Sequence, residues 1–112
     1  MKKYIIIITV VLIVIFLAIL SHKDQKIRIG FIGPFTGSAA AFGDFMHRGL
    51  ELAKADLGQD ELKNVEIIQE DDICDGKNSV SVAKKLIEVD KVKYVIGPLC
   101  NSGSLSTEKL FE

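Results

Sequence analysis

Three short apolar runs, each followed by a turn and then by a stretch with helical periodicity, constrain the fold of this chain most strongly. The runs lie at residues 27–32, 65–69 and 93–97. Gly33 and Pro34 end the first run, and this pair of residues is typical of a turn. Strands that alternate with helices at this spacing form right-handed βαβ units. The sequence therefore predicts an α/β fold: a parallel sheet of βαβ units with helices on its faces.

Apolar periodicity predicts a helix after each strand. The first helix is predicted over residues 44–57, where Gly58 follows as a stop signal. We expect its apolar stripe to face the sheet, and the stripe consists of Met46, Leu50, Ala53 and Leu57. The second helix is predicted to begin near Asp75, and the side chains that it is expected to bury are Val82, Ala83, Leu86 and Ile87. The third helix is predicted to start near residues 102–104 and to continue through residue 112, so we expect a truncated polypeptide.

Residues 4–20 form an unbroken apolar run that follows Lys2 and Lys3. Its 17 residues exceed the roughly 7–15 of a signal-peptide core and only just reach the roughly 17–25 that span a bilayer. The two lysines favour a cytoplasmic N-terminus. We therefore expect residues 1–21 to be a signal peptide or an uncleaved membrane anchor, with residues 4–20 as a hydrophobic helix in the membrane. Residues 22–26 form a polar linker, and the chain is expected to be exported, either anchored to the cell membrane or periplasmic.

The charge balance argues against a nucleic-acid partner. Removing residues 1–21 takes away two lysines and no acidic residue, which leaves a net charge of −3. The lysines are scattered along the chain, without a basic cluster that alternates with aromatic residues. Surfaces that bind nucleic acids carry such clusters.

Two cysteines each follow the end of a predicted strand: Cys74 comes after the second strand and Cys100 after the third. This edge is where open α/β sheets bind ligands. Export permits a disulfide between them, and closing a loop of about 25 residues stabilises a fold by roughly 3.5 kcal/mol. Two free buried thiols are the alternative. A metal site is not indicated, since His22 and His47 lie far from the pair in sequence.

The loops after the strands carry no catalytic or phosphate-binding motif. The glycines of the first loop do not match the dinucleotide-binding spacing, and His47 has no paired nucleophile. Asp71, Asp72 and Asp75 lack the spacing of a calcium loop, and Asp75 is better placed to cap a helix. We therefore predict a protein that is not an enzyme, with no cofactor and no metal.

Two of these loops are nevertheless suited to binding a small molecule. Thr36, Gly37 and Ser38 in the first loop are small enough to let a ligand approach the backbone. Residues 101–104 precede the last predicted helix, where free N–H groups and hydroxyls can hold a carboxylate. The alternative for residues 101–104 is that they only cap the helix.

Three segments carry a family resemblance, in this order: residues 29–37 with 41–43, residues 71–75, and residues 94–100. Together they resemble the start of the branched-chain amino-acid binding proteins of bacterial ABC transporters, over essentially all of residues 27–112. The resemblance implies a type I periplasmic-binding fold, in which two α/β lobes joined by a hinge close around an amino acid. Residues 27–112 would be an incomplete N-terminal lobe of that ligand-binding domain. In the leucine and leucine/isoleucine/valine binders the two cysteines form a disulfide, which the resemblance implies for Cys74 and Cys100.

The resemblance also implies ligand-binding residues. Phe42 matches an aromatic residue that lines the ligand cleft, and Asn101 falls where the family often has a serine that binds the carboxylate of the amino acid. Asn101 departs from the family but can still donate a hydrogen bond, and Ser102 follows it in the same loop. Gly76 stands where the family commonly has proline, so we expect a looser start of that helix. The implied partners are a small amino acid and, for the full-length protein, an ABC permease.

The leading functional hypothesis is an extracytoplasmic amino-acid binding component of an ABC transport system, which in truncated form is not competent alone. The alternatives are the ligand-binding part of a membrane-tethered sensor or receptor, and a non-functional gene fragment. A flavodoxin-like or nucleotide-binding enzyme is disfavoured by the missing phosphate motif. We expect residues 22–112 alone to be marginally stable or prone to aggregate, because three parallel strands leave sheet edges and apolar faces open.

Overall fold

The computed structural model describes residues 2–20 and 26–112. The helix α1 spans Lys2–Leu20, and the elements that follow are β1 (Ile27–Gly33), α2 (Ala40–Leu62), β2 (Val65–Asp71), α3 (Gly76–Glu88), β3 (Tyr94–Ile96) and α4 (Asn101–Thr107). Two short 3₁₀ turns, Gly37–Ala39 and Glu108–Leu110, precede α2 and follow α4. This alternation confirms the predicted α/β fold. Of the predicted linker, residues 22–25 lie outside the described part of the chain.

The three strands form one parallel sheet, as predicted, and their order in the sheet is β2-β1-β3. β1 pairs with β2 along its whole length, from Ile27 opposite Val65 to Gly33 opposite Asp71. This full pairing extends β2 two residues beyond the predicted end of the second strand. β3 is short and pairs with the centre of β1, from Ile29 opposite Tyr94 to Phe31 opposite Ile96.

Helices cover both faces of the sheet. On one face, Ile32 of β1 packs in a fully buried cluster with Ala83 and Leu86 of α3. The half-buried side chains around this cluster are Ile68, Val82, Val92, Val95 and Leu110. On the other face, Gly33 lies against α2, since a β-carbon at Gly33 would be only 2.8 Å from the Met46 sulfur. Neighbouring strand residues point to opposite faces, so α2 and α3 lie on opposite sides of β1.

Only the first half of α2 packs as predicted. Leu50 is buried and Met46 is half-buried, but Ala53 and Leu57 are exposed, so the prediction that the whole stripe faces the sheet is wrong. A helix of 23 residues is about 35 Å long, whereas strands of seven residues span about 23 Å. The sheet is therefore too short to cover all of α2. Helical geometry breaks at Gly58 (φ 78°, ψ 168°), where the sequence predicted the stop, although the helix resumes to Leu62.

α3 begins as predicted, with Asp75 as its N-cap residue. The Asp75 carboxylate accepts a hydrogen bond from the Asn78 backbone N–H at 2.9 Å, which satisfies one of the free donors in the first helical turn. Ala83 and Leu86 are buried as expected, and the Ser79 side chain is buried beside them.

The C-terminal helix ends earlier than predicted. α4 stops at Thr107, whose buried hydroxyl donates a hydrogen bond to the Gly103 carbonyl at 2.9 Å. The 3₁₀ turn that follows closes with a bond from the Phe111 N–H to the Glu108 carbonyl at 3.2 Å. Phe111 and Glu112 lie outside any helix, so the prediction of a helix that continues through residue 112 is wrong.

The apolar N-terminal segment is helical as α1. Its large apolar side chains are exposed where they are described, with Phe16 and Leu12 among the most exposed. Within residues 2–20 and 26–112, no helix combines the length and the apolar character needed to cross a membrane.

A substitution at Leu86 tests how much the buried cluster on the α3 face stabilises the fold. We expect Leu86→Ala to lower the free energy of unfolding by about 2–5 kcal/mol, because a fully buried leucine leaves a cavity when it is truncated. The matched control is Leu105→Ala on α4, where the leucine is 76% exposed, and its effect should stay within about 0.5 kcal/mol. Urea unfolding of the full chain measures both, and equal effects would contradict this account of the core.

Candidate functional site

The carboxyl ends of the three strands lie at one edge of the sheet, where the loops that follow them meet. β1 leads into α2 on one face, whereas its neighbour β3 leads into α4, which packs beside α3 on the other face. The segments that follow β1 and β3 leave toward opposite faces of the sheet. A crevice therefore opens between them. Open α/β sheets bind ligands at such switch points, so the candidate site lies here.

Asp71, the last residue of β2, holds the loop that follows β1. Its carboxylate accepts hydrogen bonds from the Phe35 amide at 2.9 Å, from the Ile73 amide at 3.0 Å and from the Thr36 hydroxyl. Partial burial alone would raise the pKa of the Asp71 carboxyl, but the hydrogen bonds from Thr36, Ile73 and Phe35 outweigh burial and lower this pKa below its ordinary value. The side chain is therefore charged at neutral pH and ties the first loop to β2.

Asp72, the next residue, is fully buried and organises the loop after β2. Its carboxylate accepts hydrogen bonds from the Cys74 amide at 3.1 Å and from the Ser79 hydroxyl at 2.8 Å. Ile73 and Cys74 adopt positive φ angles of 46° and 63°, a left-handed conformation that a β-branched residue rarely takes. The bonds to Asp71 and Asp72 hold these two residues in that strained conformation.

A disulfide joins Cys74 to Cys100, with 5.4 Å between their Cα atoms. The Ser102 hydroxyl adds a second link between the same loops by donating a hydrogen bond to the Cys74 carbonyl at 3.1 Å. The two loops follow β2 and β3, which are separated in the sheet by β1. The disulfide therefore connects the outer strands across the end of the central one.

The start of α4 does not fit the alternative interpretation that residues 101–104 only cap the helix. The N-cap residue is Cys100, and its side chain makes no capping hydrogen bond. The hydroxyls of Ser102 and Ser104 instead donate to carbonyls outside the helix, those of Cys74 and Pro98. These serines therefore anchor α4 to the loops before it.

Gly76 has a packing role that its sequence position did not reveal. A β-carbon at Gly76 would lie 3.0 Å from the Ser102 carbonyl oxygen and 2.5 Å from the Ser106 hydroxyl. A side chain at this position would require the Ser106 hydroxyl to rotate and the Ser102 carbonyl to shift by a few tenths of an ångström. The absence of a side chain at Gly76 thus sets how closely the two helices approach at the crevice.

Phe42 lies in the first turn of α2, and the adjacent Gly43 brings this turn against the end of β1. A β-carbon at Gly43 would be 2.3 Å from the Pro34 carbonyl oxygen, which no larger residue can accommodate without a shift of the backbone. Phe42 is 58% exposed and lines the crevice rather than the core.

The crevice is an open groove of about 540 Å³. Its lining residues come from the starts of α2 and α4 and from the loops that the disulfide joins: Phe42, Cys74, Leu99, Cys100, Asn101 and Ser102. All three residues predicted to contact a ligand, Phe42, Asn101 and Ser102, therefore lie in one groove, and their role in binding stays a prediction. Asn101 is exposed and its carboxamide is not hydrogen-bonded to any other described residue.

Sequence reasoning did not single out Leu99, which is 45% exposed and forms an apolar part of the groove wall. Its position directly before Cys100, just past β3, is the signal that would have identified it. In contrast, Thr36, Gly37 and Ser38 are not among the residues that line this groove. His47 lies elsewhere, with its Nδ1 atom 3.2 Å from the Gln69 side-chain nitrogen.

The chain is an α/β domain with an open groove at the switch point of its parallel sheet, the place where such sheets bind ligands. Residues 26–110 match the family described as periplasmic binding protein, and the chain belongs to this family. The chain is 35% identical over 91 residues to the Leu/Ile/Val-binding protein of Escherichia coli K12. The matched region covers 79% of this chain and 24% of that protein. The chain thus spans about a quarter of the length of this relative.

Solved structures show the same fold. The chain is similar to a branched-chain amino acid transporter substrate-binding protein from Streptococcus pneumoniae in complex with isoleucine, with a TM-score of 0.64, 28% identity, and coverage of 76% of this chain and 26% of that one. A solute-binding protein of an ABC transporter from Rhodopseudomonas palustris BisB5, in complex with 3,4-dihydroxybenzoic acid, gives a TM-score of 0.68 at 28% identity, with coverage of 79% and 24%. These comparisons agree with a partial type I periplasmic-binding fold.

The lowered pKa of Asp71 predicts a specific pH dependence. Because the folded-state pKa lies below the unfolded value, Asp71 stabilises the fold above the unfolded pKa of about 4, and this contribution is lost as the pH falls through the folded pKa. We expect Asp71→Asn to lower stability at pH 7, since an amide nitrogen cannot accept the Thr36 bond, and to approach the wild type in acid. Urea unfolding at neutral and acidic pH measures the difference.

The control for this prediction is Asp56→Asn, at an exposed aspartate of α2 for which no hydrogen bond to a described residue is found. Its stability should follow the wild type at both pH values. A wild type and an Asp71→Asn variant that differ by the same amount at neutral and acidic pH would contradict the role of the Asp71 charge.

Proposed function

We propose that this chain is part of the extracytoplasmic solute-binding component of an ABC transport system and that its ligand is an amino acid. The observation that carries the proposal is the meeting of Phe42 and Asn101 in one groove at the switch point of a sheet in the periplasmic binding protein family. The relatives described above are binding proteins for amino acids and other carboxylates, which supports a binding role rather than an enzymatic one.

The polar groups of the groove can bind both charged groups of an amino acid, its carboxylate and its ammonium group. The Asn101 side chain carries N–H donors that can bind the carboxylate of the ligand. The Ser102 hydroxyl donates its proton to the Cys74 carbonyl, so its oxygen offers lone pairs, which can accept a hydrogen bond from the ammonium group. Phe42 and Leu99 supply apolar surface for the side chain of the ligand.

Residues of this chain form one side of the groove, and the other side is open to solvent. Closure of two lobes around the ligand excludes water from such sites. We therefore infer that these residues contribute part of a binding site and that the chain binds amino acids weakly by itself. Micromolar binding of leucine to the purified chain in a calorimeter would contradict this inference.

A chimera tests the ligand residues in the presence of a second lobe. Residues 26–110 replace the matching segment of the Escherichia coli Leu/Ile/Val-binding protein, and calorimetry measures leucine binding. We expect Phe42→Ala and Asn101→Ala each to weaken binding by about tenfold or more, since each removes a contact at the centre of the site.

The matched control in the chimera is Phe45→Ala, one helical turn from Phe42, where the phenylalanine is 66% exposed and does not line the groove. Its leucine affinity should equal that of the parent chimera. A folded chimera, with a cooperative thermal transition, whose affinity is unaffected by Phe42→Ala and Asn101→Ala would contradict the proposed site.

Export is proposed from the N-terminal sequence, in which Lys2 and Lys3 precede the apolar run of residues 4–20. A disulfide in the folded domain is consistent with an oxidising compartment outside the cytoplasm. Whether residues 1–21 are cleaved as a signal or kept as an anchor distinguishes a free binding protein from a tethered one.

A fusion of the full chain to alkaline phosphatase, which is active only after export, tests this localisation. We expect activity that disappears when residues 1–21 are deleted, and mass spectrometry of the mature N-terminus identifies cleavage. Phosphatase activity that does not depend on residues 1–21 would contradict the proposed export segment.

A further inference from the structure

The turn that follows β2 has side chains that do not suit its backbone shape. The Asp75 N–H closes this turn with a hydrogen bond to the Asp72 carbonyl at 2.9 Å. The two central residues, Ile73 and Cys74, both have positive φ angles, of 46° and 63°. Turns with two such residues are built mostly from glycine, asparagine and aspartate. A residue that branches at Cβ is strained in this conformation.

Burial in the core does not offset the strain at Ile73. Its side chain is 45% exposed, and it does not belong to the buried cluster of Ile32, Ala83 and Leu86. Residues that are held in strained backbone conformations occur preferentially at functional sites. The surroundings of Ile73, at the edge of the sheet that carries the groove, give a reason for this residue.

On one side, Ile73 lies beside the segment that carries Phe42. The Ile73 Cβ atom is 4.0 Å from the position that a β-carbon at Gly37 would take. Gly37 begins the 3₁₀ turn that ends at Ala39, and α2 follows directly. Phe42 is the third residue of α2, so Ile73 is next to the turn that determines where the aromatic side of the groove begins.

On the other side, Ile73 leads to the polar part of the groove. The next residue, Cys74, is joined by the disulfide to Cys100, and Asn101 follows as the first residue of α4. The Ile73 N–H donates to the Asp71 carboxylate at 3.0 Å, which fixes the backbone at this point. Ile73 is therefore connected to both sides of the groove.

Lys91 gives a comparison within the same chain. Among the described residues, it is the only other non-glycine residue, besides Ile73 and Cys74, with a positive φ angle, which is 54°. Lys91 is exposed and lies in the turn between α3 and β3. This turn is at the amino end of β3, whereas the groove is at the carboxyl ends of the strands. Lysine also lacks a branch at Cβ, so its strain is smaller.

We propose that Ile73 is a positioning residue that sets the separation between Phe42 and Asn101 across the groove. Its branched side chain keeps the turn at Gly37 at a fixed distance from the disulfide, and the strained backbone places it there while Cys74 still reaches its partner. This inference rests on the proposed function, because it concerns how the same groove is shaped for its ligand.

Ile73→Asn tests whether the strain is retained for binding rather than for stability. Asparagine tolerates a positive φ angle, so the urea midpoint of the full chain should equal that of the wild type or rise. The shorter polar side chain no longer holds the two sides apart. The leucine affinity of the chimera described above should therefore fall by about fivefold or more, as for ordinary couplings between groups that act at a distance.

Two further variants separate positioning from packing. Ile73→Val keeps the branch at Cβ and should retain both the urea midpoint and the leucine affinity of the parent. Lys91→Asn is the matched control, since it introduces the same residue at a similar φ angle away from the groove. Its urea midpoint should not fall, and its leucine affinity should equal that of the parent chimera.

Nuclear magnetic resonance of the full chain tests the separation of the two sides without a ligand. With the Phe42 ring and the Asn101 carboxamide isotope-labelled, Ile73→Asn should shift the signals of both groups, and Lys91→Asn should shift neither. Unchanged signals in Ile73→Asn would overturn the inference, whether or not the chimera binds leucine.

The binding results distinguish this inference from the proposed function. An Ile73→Asn chimera that binds as tightly as its parent, while Asn101→Ala weakens binding, would overturn the role of Ile73 and leave the proposed function intact. A fall in both the urea midpoint and the affinity would assign Ile73 a packing role and would also overturn the inference. A parent chimera that does not bind leucine would contradict the proposed function, and the resonance signals of Phe42 and Asn101 then decide the role of Ile73.

Discussion

Two consecutive carboxylates at the end of β2 organise the edge of the sheet where the candidate site lies. Side chains of neighbouring strand residues point to opposite faces of a sheet, so Asp71 reaches the loop that leads to α2, while Asp72 reaches α3. Asp71 binds the amide of Phe35 and the hydroxyl of Thr36, and Asp72 binds Ser79 and the amide of Cys74. One dipeptide thus holds loops on both sides of the sheet, and the position of the groove follows from it.

Much of the fold was predictable because it follows from local patterns. The alternation of strands and helices predicted the parallel sheet, and Asp75 predicted the start of α3. The exposure of the second half of α2 depends instead on how long the sheet is. Ala53 and Leu57 are exposed because the sheet is too short for α2. Within the site, Phe42 and Asn101 were found by resemblance, whereas Leu99 and the anchoring role of Ser102 appear only once the loops are placed together.

The departures from the family pattern have different meanings. Asn101 faces the groove, and its carboxamide makes no hydrogen bond to another described residue, so it changes the chemistry offered to a ligand. Gly76 instead changes packing, because its missing side chain lets the first turn of α4 lie against α3. In the sequence, Gly76 predicted a looser start of α3. In the structure, its missing side chain allows α3 and α4 to lie in close contact at the crevice.

The disulfide makes the two sides of the groove mechanically unequal. On the side of Asn101, the covalent link between Cys74 and Cys100 and the bond from Ser102 join α4 to the start of α3 and restrict their relative displacement. On the side of Phe42, the loop is held by hydrogen bonds to a single carboxylate and by van der Waals contact at Gly43. The phenylalanine side of the groove is therefore the more easily displaced of the two, while the polar side keeps its geometry.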